Sequence, residues 1–498
     1  MSFAAIKGHL ANWREWELNP IVVKELRQAV RSWTVTGMLL LFLIVLFATA
    51  LVLLVTNLFV PNRDMGLGAM MFEAFLFILA GASVLFIPLY VGIRVGLERQ
   101  ENNIDLLYVS TLSPGRIIRG KFFCGAYMAL LFFSACMPFM AFTNLLRGID
   151  LPTVLFILFW VFLVVCVANM VAIFLACLPV SRPFKALIVL YGLFQSFWLM
   201  VPLVTLSLNL MRSGVGAMMF GRSFWFGVLT LLCMGFGIVG FFYQLSVALI
   251  SPPSANRALP VRIYITIAWL VTGLLAFGWA YRTRESAPIA GWTATILALM
   301  LFALLVTVSN SDHLSVRVRR TIPASGWKKA LAFVFYNGAA GGLLWGAAIV
   351  SGTCLSAYAI DAKFAKPGSF DFGFMQPVPT LIAYAFDYAL LGLFVHRKFL
   401  PRRPPKMAGV LAIMLASAWA IAPSIVLFFL NKLTWKSVER LQLGNPFNAL
   451  ATHDTGAWDA HQTFAFAWLA VMALVNAKWF FQQVRDFRRP PLAPPVSP

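Results

Sequence analysis

Apolar residues in this chain neither alternate with polar ones nor recur as a single stripe. They run on without interruption for twenty residues or more, and they do so twelve times. The runs cover about 36–58, 69–93, 122–144, 153–178, 184–210, 224–250, 262–281, 289–309, 332–359, 378–397, 407–430 and 462–483. Crossing the hydrocarbon core as a helix takes ~20 apolar residues. A β-barrel would require alternation instead of continuity. Backbone polar groups in lipid must be satisfied within the segment, so the runs predict helices. The expected fold is an all-α polytopic membrane protein with about twelve transmembrane helices. Composition agrees: 61% of the 498 residues are hydrophobic and 11% charged, against roughly 25% charged in a soluble domain.

The polar gaps between the runs set the topology. With the N-terminus inside, twelve spans return the C-terminus inside, and more than two thirds of the 39 Lys and Arg residues then fall on the inner side. The positive-inside rule favours that orientation. The net charge of +21 is spread over all the inner loops and forms no long run interleaved with aromatics. It therefore points to anionic membrane lipids as partners and away from nucleic acid. The first run begins only near residue 36, behind a basic segment, so an uncleaved first span is expected.

The order of spans and loops divides the chain into five parts. Residues 1–35 form an amphipathic cytoplasmic or interfacial segment, and 36–250 a first six-helix membrane domain. Residues 251–261, which include Ser251-Pro252-Pro253-Ser254, make a linker. Residues 262–483 form a second six-helix domain, and the Pro-rich 484–498 a disordered cytoplasmic tail. Each half carries its long inner loop between its second and third spans, at 98–121 and at 310–331. A shift of 210 residues lays Thr111 on Thr321, Leu112 on Ile322 and Phe123 on Phe333. The halves are expected to be parallel repeats.

Two polar segments carry the chemistry. In the stretch 19–33, NPIVVKELRQAVRSW, Val22, Leu26, Val30 and Trp33 recur at helical spacing, while Lys24, Arg27 and Arg31 take other faces. This predicts a short helix lying in the inner interface. The stretch 98–121, ERQENNIDLLYVSTLSPGRIIRGK, predicts one short helix, a break at Ser113-Pro114, and a second helix entering the third span. Its leucines can bury one face. Glu98, Arg99, Glu101, Asp105, Arg116, Arg119 and Lys121 offer charge to a partner. The residues alone fit equally a lever that receives force and an amphipathic loop resting on lipid.

Asn19-Pro20 followed by Lys24-Glu25-Leu26-Arg27, then Glu98-Arg99, Leu112-Ser113-Pro114 and Gly120-Lys121, resembles the ABC-2 family of ABC-transporter permeases. The likeness covers roughly 15–250. It implies an interfacial connecting helix, two spans, a cytoplasmic coupling helix and four further spans. It also implies an exporter subunit in a bacterial-type inner membrane, driven by an ABC ATPase on a separate chain, with a second permease copy as a further partner. The residues it assigns to the ATPase contact are Lys24, Glu25, Arg27, Glu98, Arg99, Glu101, Asp105, Leu112, Ser113, Pro114, Arg116, Gly120 and Lys121.

The chain itself carries no nucleotide site. Gly115 to Lys121 fits the opening of a phosphate loop, but Phe122 stands where the magnesium-binding Ser or Thr belongs, and no strand precedes it. No catalytic triad, HExxH or paired catalytic carboxylates occur in the runs, so neither enzyme activity nor a cofactor is expected. The six cysteines all fall within spans and read as small buried hydrophobes. His453, Asp454, Asp459 and His461 read as a hydrated outer loop. Asp387, in the middle of the tenth run, is the one site residue outside these segments. A carboxylate at that depth marks either a polar translocation path or a hydrogen-bonded packing residue. It supports the rival reading of an ion-coupled secondary transporter. A third alternative is a non-transporting membrane scaffold.

Overall fold

The computed structural model describes residues 20–59, 66–100, 113–146, 149–179, 182–252, 254–284, 287–364, 378–430, 442–451 and 458–490. Every regular element among them is helical, and twelve helices are long and apolar enough to cross a membrane. The chain is a multi-pass membrane protein. It folds as two compact units, Met1–Pro252 and Pro253–Pro498, each with six of those helices.

The first unit begins with α1 (Pro20–Val30), with Pro20 at its first turn, where a missing N–H costs nothing. The spans follow as α2 (Trp33–Phe59), α3 (Leu67–Gly81) running through a π-helical turn (Ala82–Phe86) into α4 (Ile87–Gln100), and α5 (Pro114–Leu145). Next come α6 (Leu151–Cys177), α7 (Arg182–Ser213), a short α8 (Val215–Met218) and α9 (Arg222–Ile250). The π turn loosens the regular backbone ladder, and the buried Ser83 hydroxyl donates to the Leu79 carbonyl at 2.6 Å. The core is apolar and aromatic: Phe72, Phe75 and Leu79 on α3 meet Met128, Phe132 and Cys136 on α5 and Ile157, Val161 and Val165 on α6. By contrast α2 buries only Val35, Phe42 and Leu46, a single stripe, so most of its surface faces the lipid. Asp150 caps α6 by accepting from the Thr153 amide at 3.1 Å. The Thr153 hydroxyl in turn accepts from the Val215 amide at 3.0 Å, which fastens α8.

In the second unit the spans are α10 (Ala258–Thr283), α11 (Ala287–Val308), α14 (Ala339–Phe364), α15 (Val378–Phe399), α16 (Met407–Phe429) and α18 (Trp458–Asp486). Between them lie α12 (Val316–Arg320), α13 (Gly326–Phe335) and α17 (Pro446–Ala451). Two expectations change here. The ninth span was drawn as one run, 332–359, yet the helix breaks at Tyr336–Gly338 and the span proper starts at Ala339. Gly338 takes φ +134°, and Gly341 lies so close to the Phe333 carbonyl that a Cβ would collide with backbone. The orphan carbonyls at the break are taken up by Arg262 of α10. Its guanidinium donates to the oxygens of Val334 (2.8 Å), Tyr336 (2.6 Å) and Gly338 (3.2 Å). The stretch drawn as a linker, 251–261, is helical from Ala258 onward. Ahead of that helix, Asn337 donates to the Ala255 carbonyl, accepts from the Ala258 amide on its side-chain oxygen, and gives its own amide to Asn256.

The segment between the second and third spans of this unit is compact. Ser315 caps α12, with its hydroxyl accepting from the Val318 amide at 3.3 Å. Val318, Ile322, Ala332, Tyr336 and Phe487 close over one another as a small core. The tail expected to be disordered from 484 is ordered at its start: 484–486 complete α18 and Phe487 is buried in this core, while 491–498 lie outside the described residues.

In the second unit α15 packs closely on α16. A Cβ on Gly392 would stand 2.7 Å from the Ala408 carbonyl oxygen and 2.8 Å from the Ala412 nitrogen, both backbone. Gly392→Ala is expected to lower stability by about 1–3 kcal/mol, the usual cost of overpacking. Gly291→Ala, whose Cβ meets nothing within 4 Å, should not. Thermal unfolding in detergent micelles checks both.

Candidate functional site

The residues singled out in 19–31 and 98–121 converge on one ammonium group. Lys121, two turns into α5, carries its charge inward: its side chain is 6% exposed. Its Nζ lies 3.1 Å from Glu25 Oε1 of α1 and 2.6 Å from Glu98 Oε2 at the end of α4. Glu25 is 9% exposed on the same measure and Glu98 31%. Three helices that are separate in sequence therefore share one ion cluster. Arg94, one turn before Glu98, binds the Tyr90 hydroxyl at 3.2 Å and lies over its ring. Two cations thus stand near two carboxylates. Leaving the buried Lys121 or Glu25 charge unpaired is costly, which is why these two occur together.

This cluster sets which face of α1 packs inward. Of the stripe expected to lie in the interface, Val30 is 72% exposed and Trp33, which opens α2, is 83% exposed. The buried face is Val22, Glu25 and Ala29. Pairing Glu25 with Lys121 rotates the helix away from its most apolar stripe. The outward residues then meet whatever surrounds the bundle, as an interfacial helix requires.

The remaining candidate positions fall as follows. Lys24 and Arg27 are exposed on α1. Arg99 belongs to the last turn of α4. Ser113 is the exposed N-cap of α5 and works through its backbone, its carbonyl accepting from the Arg116 amide at 2.9 Å, while Pro114 opens the helix. Arg116 is exposed and Gly120 buried. The second helix predicted for 98–121 is thus continuous with the third span. Near its start the Tyr243 hydroxyl of α9 donates to the Gly115 carbonyl at 3.3 Å. At the residue after Lys121, the buried Asn169 of α6 donates to the Phe122 carbonyl at 3.1 Å. Glu101, Asp105 and Leu112 lie outside the described residues.

The second unit holds a separate polar cluster that was only partly legible. Asp387 is fully buried on α15, and neither carboxylate oxygen has a hydrogen-bond partner. Tyr384, about one turn before it, and Tyr388, immediately after it, are engaged elsewhere. The Tyr388 hydroxyl donates to the Gly444 carbonyl at 2.7 Å, and the Tyr384 hydroxyl lies 3.0 Å from His461 Nδ1 and accepts from the Gly444 amide at 3.2 Å. Asn448 reaches the other nitrogen of that ring at 3.3 Å. His461 is therefore a buried member of a hydrogen-bonded network on α18, not part of a hydrated loop; His453 and Asp454 lie outside the described residues. The ring's position, directly before the apolar run 462–483, was the available sign of burial.

At the other end of α18, Trp479 donates from its indole to Asp312 at 2.9 Å, and Arg397 stacks on the Trp479 ring. Burial pushes the Asp312 carboxyl up from its ordinary value, against the pull of Trp479 and of the Arg397 and His313 charges. Among the described residues no group of three or more His, Cys, Asp or Glu side chains is placed to hold a metal ion. The six cysteines are free, four of them buried.

Comparisons with protein-family models, with curated proteins and with solved structures give no match.

Two outcomes follow from these clusters. Lys121→Met should cost about 3–5 kcal/mol by stranding two carboxylates. Adding Glu25→Gln should restore part of that loss, so the double variant is milder than the sum of the singles; denaturant unfolding in micelles measures all three. For Asp312, the native state holds the proton more tightly than the unfolded chain does. Its contribution to stability is full below the ordinary aspartate pKa of ~3.9 and is lost as pH rises through the higher native value. Stability of the unmodified protein should fall across that window more steeply than stability of Asp312→Asn.

Proposed function

We propose that the chain is the membrane-spanning subunit of an ABC-type exporter of the ABC-2 kind, lying in a bacterial-type inner membrane with both termini cytoplasmic. A separate ATPase chain docks on the segment 98–121 and on the exposed face of α1. The observation that carries this reading is the sharing of Lys121 by Glu25 and Glu98. A loop that merely rests on lipid has no need for its two flanking helices to be fastened to each other and to an interfacial helix. A lever does need this, because force applied to a floppy segment is absorbed within it. With α1, α4 and α5 joined, a push on the loop turns into movement of two spans at once. ATP binding at the partner would favour one arrangement of the bundle over the other, and its hydrolysis would release that preference.

Within this reading the candidate contact residues divide. Lys24, Arg27 and Arg116 supply surface charge for the ATPase. Glu25, Glu98 and Lys121 spend their charge inside the chain and act as positioning residues.

A second reading rests on Asp387, whose buried carboxylate lacks hydrogen-bond partners. In an ion-coupled carrier such a group takes up and releases the driving ion. The two readings separate cleanly: export by the first stops when the partner ATPase is inactivated in a membrane that keeps its ion gradients, whereas transport by the second stops with Asp387→Asn or with collapse of the gradient.

For the leading reading, single cysteines at Lys24, Arg27 and Arg116 should cross-link, in native membranes, to a chain that carries a nucleotide-binding loop. Lys121→Met should leave nucleotide hydrolysis running while flux falls. Absence of such cross-links at all three positions would contradict it.

A further inference from the structure

The segment between α11 and α14 joins two spans, so it emerges at one face of the membrane. It does not continue the axis of the span that follows. A straight helix would hold Phe333 and Gly341 about 12 Å apart, yet a Cβ on Gly341 would collide with the Phe333 carbonyl. The chain therefore turns back at the break, and α13 leaves the line of α14. Its inward face is fixed. Ala332 is buried in the small core with Val318, Ile322 and Phe487, and the Phe333 ring meets that of Phe487 edge-on at 5.4 Å.

The outward face carries two kinds of side chain. Trp327 and Leu331, about one turn apart on α13, are 68% and 53% exposed, and Val316 at the start of α12 is 60% exposed. On the same two helices Arg317, Arg320 and Lys328 are exposed as well. The Lys328 ammonium stands 5.5 Å from the centre of the Trp327 ring. The run 313–334 holds five Lys and Arg residues and no Asp or Glu. None of those five is ion-paired with a described residue.

Three surroundings can be weighed for this face. Water suits the cations but not an indole and a leucine held side by side in the open. An acidic protein surface answers the charges and leaves Trp327 and Leu331 against a polar partner. A leaflet of anionic phospholipid answers both at once. Its phosphates take Arg and Lys, while the boundary beneath them takes Trp and Leu. It is also the surface always within reach of a segment that links two spans.

We infer that α12 and α13 form a binding surface for anionic phospholipid headgroups. Trp327 and Leu331 are set into the leaflet, and Arg317, Arg320 and Lys328 hold the phosphates through charge-assisted hydrogen bonds. The surface belongs to the second unit. It holds whether or not an ATPase drives the protein, since the proposed docking site for that partner lies in the first.

The test uses the full chain in vesicles that carry a phospholipid with a photoreactive headgroup, either an anionic phosphatidylglycerol or a zwitterionic phosphatidylcholine. Illumination and peptide mapping should place the anionic probe on 313–334 well above the choline probe. The triple variant Arg317→Gln, Arg320→Gln, Lys328→Gln should raise the anionic lipid needed for half-maximal labelling about a hundredfold. The pair Trp327→Ala, Leu331→Ala should weaken labelling with every charge intact. Arg402→Gln, Arg403→Gln, Lys406→Gln removes the same charge from the exposed connector after α15 and should leave labelling of 313–334 nearly unchanged. Equal labelling by the two probes would overturn the inference. So would a triple variant that labels like the unmodified protein, or a connector variant that loses as much as the triple one. If a variant does not fold, the comparison of the two probes on the unmodified protein still decides the matter. A carbodiimide cross-link from Lys328 to an acidic side chain of another protein in native membranes would show a protein occupant and also overturn it.

Discussion

A buried ammonium shared by two carboxylates organises the first unit. Lys121 stands where α5 enters the apolar bundle, and a lone charge there is costly. Glu25 from α1 and Glu98 from α4 answer it at 3.1 and 2.6 Å. The pairs owe their strength to the dryness around them, and that dryness makes the positions of the three helices depend on one another. Had the same groups lain on an open surface, they would have contributed little and fixed nothing. The facing of α1 follows from this constraint: the helix shows Val30 outward because Glu25 faces Lys121.

The second unit solves a similar problem by different means. Arg262 is taken up by backbone carbonyls at the break between α13 and α14, and Asp312 by the Trp479 indole. In both units a charge at the foot of the bundle is answered by a group from a distant helix, and a loop becomes part of a folded body. Asp387 is the exception, a buried carboxylate with no hydrogen-bond partner. Its presence is not explained by packing.

Continuous apolar runs left little choice about fold class, since the lipid solvent permits one kind of backbone solution to such a sequence. The span positions were legible for that reason. Less legible was anything set by contact between distant segments. Nothing local in PIVVKELRQAV indicates that Glu25 is buried, because hydrophobic periodicity weighs a glutamate as outward-facing. The break at Gly338 had a local sign, the cluster of glycines from 338 to 342, but hydropathy averages over such clusters. His461 read as a loop residue because two acidic residues lie near it, while its apolar neighbours on α18 were the better guide. The residues gathered around Lys121 were each noted in sequence. Their meeting at one point, and hence their division into surface and internal roles, came only with the fold.

The central claim is that the Lys121 cluster makes α1, α4 and α5 move as one body. Spin labels at Arg27 on α1 and Arg119 on α5, both exposed, report the distance between the helices directly by pulsed electron resonance in vesicles. The account predicts one narrow distance distribution in the unmodified protein and a broad or shifted one in Lys121→Met. Equal widths and positions in the two proteins would contradict it.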